Sequence, residues 1–219
     1  MQKPKKNLIK TEYWKCDCGK TKVKGPQKIT ILAMRHGESR HNVLGVVNGD
    51  PKKIFHLTPK GRWQARKLAQ KLKDKNITAI LASEMLRTQE TAGPLAKLKN
   101  LPVEIDKRIN DIHAGGLEGI GIEEFRKLTG NIHRSVKSSE NNEHVAKRLK
   151  SFLKDLIKTY TGQTVAVVSS EIILHSLKQI AEGKKSDESA GRHIQNALVY
   201  EFHLKSPICC KSCGDWCQI

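Results

Sequence analysis

Two segments of this chain run from an apolar stretch into polar residues, and they end in opposite ways. From Ile29 to Ser39 the sequence ITILAMRHGES closes on Arg35, His36, Gly37, Glu38 and Ser39. An imidazole attacks phosphorus when a neighbouring cation holds the phosphate, and the guanidinium of Arg35 offers a planar fork of donors to its oxygens. Gly37 lets the backbone turn and leaves room for a ligand beside His36. That is a phosphoryl-transfer arrangement, although three residues alone are equally compatible with a solvated turn. From Val165 to Leu174 the sequence VAVVSSEIIL closes on Ser169, Ser170 and Glu171 instead, which form no obvious catalytic set.

A sheet must position both ends. ITILAM, ITAILAS and TVAVVSS are near-continuous apolar runs, as expected of parallel strands covered on both faces. Between them lie segments of helical period. Thr58-Pro59 supplies an N-cap and a first-turn proline, and Ala65, Leu68, Ala69 and Leu72 mark one face of the helix that follows. Val145, Leu149, Phe152, Leu153, Leu156 and Tyr160 mark a second. NALVYEFHL, Asn196 to Leu204, reads as a final strand. The alternation predicts an α/β fold, a three-layer α/β/α sandwich around a mostly parallel sheet. Open sheets of this kind hold ligands at the carboxyl ends of their strands, where Arg35 and His36 fall.

The chain has 219 residues, enough for one domain with small additions. The expected division is a core at 29–204, a basic Cys-containing extension at 1–28 and a Cys-rich tail at 205–219. The apolar runs are far shorter than the ~20 residues of a membrane span. MQKPKKNLIK is followed by TEYWKCDCGK and not by the apolar core of a secretory signal, so the expected compartment is the cytoplasm. The formal charge is +18, with nine Lys against Glu12 and Asp17 in residues 1–28 alone. Such a surplus admits an anionic partner, nucleic acid included, but no RNP-like aromatic signature or zinc-finger spacing accompanies it. Lysines on amphipathic helices also simply solvate the outer face.

More than three residues point to phosphoryl chemistry. RHGESRHN, LTPKGRWQARKLAQKL, LASEMLRTQETA, RINDIHAGGLEG and SENNEHVAKR follow one another in an order and spacing that resemble the histidine phosphatase superfamily, the phosphoglycerate-mutase-like fold. The resemblance covers roughly residues 29–204 and implies an antiparallel last strand beside the first. It implies that His36 is the phosphorylated nucleophile, Arg35 a phosphate-binding arginine and Arg87 the second such arginine, at the end of the next strand. Asn42 matches a polar residue that reaches phosphate or substrate, and Ser39 joins it as a candidate substrate-binding residue. Asp111 stands where the family often has a glutamate that protonates the leaving oxygen; aspartate is one methylene shorter. In-line phosphoryl transfer depends mostly on positioning and charge neutralisation, so no cofactor is expected for catalysis.

The resemblance also explains the bare strand end. There the family has a second histidine followed by glycine, and here Ser170 and Glu171 occupy those positions. A serine hydroxyl donates one hydrogen bond but carries no positive charge. Glu171 either places a carboxylate near the phosphate oxygens or turns to pair with an arginine, and it is counted among the candidate substrate-binding residues. His175 lies five residues beyond Ser170. On a helix that offset is ~500° of rotation and ~7.5 Å along the axis, which makes His175 a poor substitute and a surface or packing histidine by expectation.

Six cysteines form two terminal groups, Cys16 and Cys18 against Cys209, Cys210, Cys213 and Cys217. Cys210 and Cys213 have the spacing of half a zinc site. The last strand of the resembling fold would bring the groups together. A structural zinc held by Cys16, Cys18, Cys210 and Cys213, with Cys209 and Cys217 as alternates, stands beside free thiols and disulfides as the readings of this set.

Two functions follow. One is a phosphatase acting on a phosphorylated small molecule or phosphoprotein, with reduced turnover. The other is a pseudophosphatase that keeps the pocket to bind a phosphorylated or anionic ligand. The short stretch from Gly119 to Glu140 leaves little for an elaborate substrate cap and favours a phosphatase over a mutase.

Overall fold

A computed structural model describes residues 13–15, 22–24, 28–181 and 195–205. All six cysteines, and with them the expected zinc ligands, lie outside the described residues. Among the described residues no helix is long and apolar enough to cross a membrane.

The centre is a five-stranded sheet in the order β5-β4-β6-β3-β7. Its strands are β3 (Lys28–Arg35), β4 (Ile77–Ala82), β5 (Val103–Ile105), β6 (Thr164–Ser169) and β7 (Val199–Lys205). β3, β4, β5 and β6 run parallel, while β7 is antiparallel to β3 with Lys28 opposite Lys205 and Met34 opposite Val199. A separate two-stranded antiparallel pair, β1 (Tyr13–Lys15) and β2 (Lys22–Lys24), lies within the region read as an extension.

Alternating strand residues divide between two cores, and this produces the three layers. On one face Ile29, Ile31, Ala33, Val165 and Val167 pack with α5 (Asn142–Tyr160) and α6 (Glu171–Ala181) through Phe152, Leu156, Ile173 and Leu177. On the other, Leu32, Met34, Ala166 and Val168 pack with α2 (Pro59–Lys71) and α3 (Leu86–Lys99) through Leu68, Leu95 and Ala96. The central strands therefore needed apolar residues at successive positions, which is why they read as continuous runs. Burying each such side chain contributes ~1.5–3 kcal/mol.

Helix starts follow their capping residues. The Thr58 hydroxyl accepts from the Gly61 amide at 3.0 Å, with Pro59 in the first turn. Asn141 caps α5 by accepting from the His144 amide at 3.0 Å. Two short helices, α1 (Arg40–Leu44) and α4 (Ile122–Thr129), flank the carboxyl ends of the strands. The last strand begins later than its sequence implies, because Asn196 and Ala197 form a turn in which Ala197 adopts a φ of 58°.

Candidate active site

β3 ends at Arg35, and the chain then turns tightly against the start of α2. A Cβ on Gly37 would lie 2.6 Å from the Gly61 carbonyl oxygen, and one on Gly61 would lie 1.9 Å from that of Glu38. Only a pair of glycines permits this approach. The Gly37 amide donates to Thr91 Oγ1 at 2.9 Å, which fixes the turn to α3.

His36 is held in one tautomer by this turn. It is 1% exposed, and its Nδ1 lies 2.7 Å from the Gly37 carbonyl. A carbonyl only accepts, so Nδ1 carries the proton and Nε2 keeps its lone pair. Arg87 Nε approaches that Nε2 at 3.3 Å. Burial, followed by the adjacent Arg87 cation, holds the imidazole well below its ordinary pKa. A neutral imidazole with an unprotonated Nε2 is a nucleophile once the weak contact from Arg87 gives way to phosphorus.

Arg87 sits in the first turn of α3, four residues beyond the Ser83 that follows β4, and is 1% exposed. Its Nη1 donates to Asn48 Oδ1 at 2.6 Å, and its Nη2 donates to the Asn48 carbonyl at 3.0 Å and to Asp111 Oδ2 at 2.9 Å. The other Asp111 oxygen accepts from Ser170 Oγ at 2.8 Å and from the Ile112 amide at 2.9 Å. Asp111 thus ties the α3 terminus to the end of β6. Ser170 directs its hydroxyl to Asp111 while its carbonyl accepts from the Leu174 amide at 3.0 Å.

Glu171 takes the second of its two expected courses. It opens α6 and forms an ion pair with Arg35, Nη1 to Oε2 at 2.8 Å. Each arginine of the site is therefore matched by a carboxylate, Arg87 by Asp111 and Arg35 by Glu171.

Ser39 and Asn42 occupy a closed ring of hydrogen bonds. Asn42 Nδ2 donates to His41 Nε2 at 3.1 Å, which leaves the proton of that imidazole on Nδ1 to donate to Ser39 Oγ at 2.6 Å. The Ser39 hydroxyl donates in turn to Asn42 Oδ1 at 3.1 Å. Burial and the nearby Arg87 push the His41 pKa down to about 3, so the ring stays neutral. Ser39 is fully buried behind this ring, whereas Asn42 lines the cavity.

The cavity measures about 850 Å³ and is lined by Arg35, His36, Asn42, Asp111, Ser170 and Glu171 among others. Val47, Ile112, Ile122, Phe125 and Ile172 supply apolar wall, and Arg126, His133 and His175 also line the cavity. His175, expected at the surface or in packing, borders this cavity.

Sequence reasoning missed three residues. Asn48 grips Arg87 through two bonds, and His41 lies 5.5 Å from His36 ring to ring. Glu118 accepts from the Gly49 amide at 2.8 Å and so anchors the loop that carries Asn48. The only signal for Asn48 was its place in the turn-forming Asn-Gly-Asp triplet. Burial raises the Glu118 pKa above its ordinary 4.5. The folded chain then binds that proton more tightly than the unfolded one, so this contribution to stability is full below pH ~4.5 and is lost as pH rises through the raised value. Glu118→Gln keeps an acceptor for Gly49 and should remove that decline. Thermal unfolding from acid to neutral pH is expected to show a flatter profile, with neutral stability equal to or above that of the native chain; a drop at neutral pH would oppose it.

Residues 31–207 match the model of the histidine phosphatase superfamily (branch 1), and the chain belongs to that family. Phosphoserine phosphatase 1 of Hydrogenobacter thermophilus is 32% identical over 160 residues, spanning 68% of this chain and 74% of its own. A probable phosphoglycerate mutase of Photorhabdus laumondii is 30% identical over 158 residues, spanning 68% and 73%. The fold is shared with YhfR of Bacillus stearothermophilus at a TM-score of 0.71 and 24% identity, over 79% of this chain and 90% of that one. A mycobacterial glucosyl-3-phosphoglycerate phosphatase in complex with VO3 follows at 0.69 and 21%, over 80% and 90%.

Proposed function

We propose that the chain is a phosphatase that hydrolyses a phosphomonoester through a phosphohistidine at His36. The observation that carries this reading is the imidazole itself, buried and neutral, with Nδ1 anchored to Gly37 and Nε2 beside Arg87. In the first step Nε2 attacks phosphorus, the N–P bond forms and the ester P–O bond breaks. The leaving oxygen takes the proton that the phosphomonoester monoanion carries, relayed through the carboxylate of Asp111, which lines the cavity and is otherwise paired with Arg87. Water then attacks phosphorus, the N–P bond breaks, and Asp111 passes the water's proton on to the departing phosphate, which returns the carboxylate and the neutral imidazole to their starting forms. Arg35 lines the cavity and neutralises the phosphoryl oxygens, while the buried Arg87 adds positive charge from behind His36. The relatives named as phosphatases support the reaction class, and a cavity of about 850 Å³ suits a phosphorylated small molecule or a phosphorylated side chain of a protein.

A second reading, a pseudophosphatase that binds without turnover, is favoured by Ser170 and Glu171. We read these two as standing where active members carry histidine and glycine, so the phosphoryl group lacks one cationic partner. Phosphate release from a generic aryl phosphate separates the two. Release above the level of His36→Ala is expected; release at that level selects the binding module.

The zinc clamp of Cys16, Cys18, Cys210 and Cys213 is a separate structural proposal. It is supported by the register of β3 and β7, which sets Lys28, the first residue of β3, opposite Lys205, the last residue of β7. Structural zinc commonly survives purification. Elemental analysis of chelator-free protein should find near one zinc per chain, and its absence would discard the clamp.

A further inference from the structure

The unusual group in this pocket is Glu171. A carboxylate of the protein holds Arg35 at 2.8 Å, and that arginine lines the cavity beside His36. The Glu171 side chain is 18% exposed, so the pair is poorly screened by solvent. An arriving phosphate must share or take the Arg35 donors. The displaced carboxylate then faces the bound dianion, a repulsion that only a cation relieves.

The other charged groups around the cavity do not change this balance. Asp111 is bonded to Arg87, and Arg126, a cation whose charge reaches Arg35, is half exposed and shared with the exposed Glu123 at 2.7 Å, so solvent screens it. His36 and His41 are held neutral, while His133 and His175 also border the cavity. Bringing a dianion to Arg35 therefore adds negative charge next to Glu171.

Resting on the phosphatase reading, we infer that Glu171 is a specificity-determining residue: a tethered carboxylate that competes with anions for Arg35 and favours phosphomonoesters carrying an ammonium group. The leaving group brings the cation that the released carboxylate requires. Neutral esters leave Glu171 without one, and acidic esters add further repulsion.

Binding by calorimetry, with released phosphate assayed after each titration to exclude heat from hydrolysis, tests this apart from turnover. The probes are phosphoethanolamine, glycerol 3-phosphate and phosphoglycolate, with vanadate as the pocket control. The native chain should bind phosphoethanolamine about tenfold more tightly than glycerol 3-phosphate, with phosphoglycolate weakest. Glu171→Gln should level the three esters and bind vanadate several-fold more tightly, because the competitor is gone. Glu171→Asp should keep the order, and Glu171→Ser gives the same readout as Gln if the latter fails to fold. Equal affinities in the native chain, or an order that persists in Glu171→Gln, would overturn the inference while leaving the phosphate pocket in place. Absence of binding by all three esters and by vanadate would overturn both.

Discussion

Replacing Ser170 by histidine together with Glu171 by glycine should raise phosphate release from a generic aryl phosphate by about 10²–10³. Removing one preorganised donor at a developing charge typically costs that factor, and the double change restores one. Two local effects combine. Ser170 spends its hydroxyl on Asp111 Oδ1 at 2.8 Å, so the residue contributes no cation to the cavity. Glu171 holds Arg35, so the change to glycine returns that guanidinium to the phosphate. Because the two residues are adjacent and act on one site, their effects should not add. Ser170→His alone is expected to gain less, since Glu171 continues to occupy Arg35. Steady-state rates for the three proteins, with vanadate affinity as a control for an intact pocket, check this. A double variant that binds vanadate and remains at the His36→Ala level would favour the binding-module reading.

Arg87→Ala should be the most damaging single change after loss of His36, in both activity and stability. Arg87 joins four elements: the His36 turn, the Asn48 loop, Asp111 and α3. Its removal leaves Asn48 Oδ1 and Asp111 Oδ2 without their donor. Breaking one side of a buried ion pair costs about 3–5 kcal/mol, and the half-buried Asp111 puts this site at the lower end. Loss of its positive charge beside His36 should independently lower turnover by about 10²–10³. Arg87→Lys supplies the charge but not the fork, and should recover part of the stability with little of the activity. Denaturant unfolding and vanadate titration together separate the two losses. An unchanged vanadate affinity in Arg87→Ala would remove this arginine from the phosphate site.

The parts legible in the sequence were those set by periodicity. β3, β4 and β6 are buried on both faces, and their continuous apolar runs record it. α2 and α5 carry caps and one-sided apolar stripes. β5 escaped notice because it has three residues at a sheet edge, with Glu104 and Ile105 exposed. The candidate strand end was readable because Arg35 closes β3 and His36 follows it directly. Asn48, His41 and Glu118 were not, since their importance arises only when separate loops meet around Arg87 and His36. For Glu171 residue types permitted either repulsion of phosphate or pairing with an arginine, and only the placement of α6 beside β3 selects the pair with Arg35.

Trapping the covalent intermediate decides whether His36 carries the phosphoryl group. The native chain, mixed with an aryl phosphate and quenched in alkali within one turnover, should carry a phosphoryl group on Nε2 of His36, stable to base and labile to acid. His36→Ala should carry none. Phosphate released at the native rate with no phosphoryl group on His36, or with the group on another residue, would contradict the account.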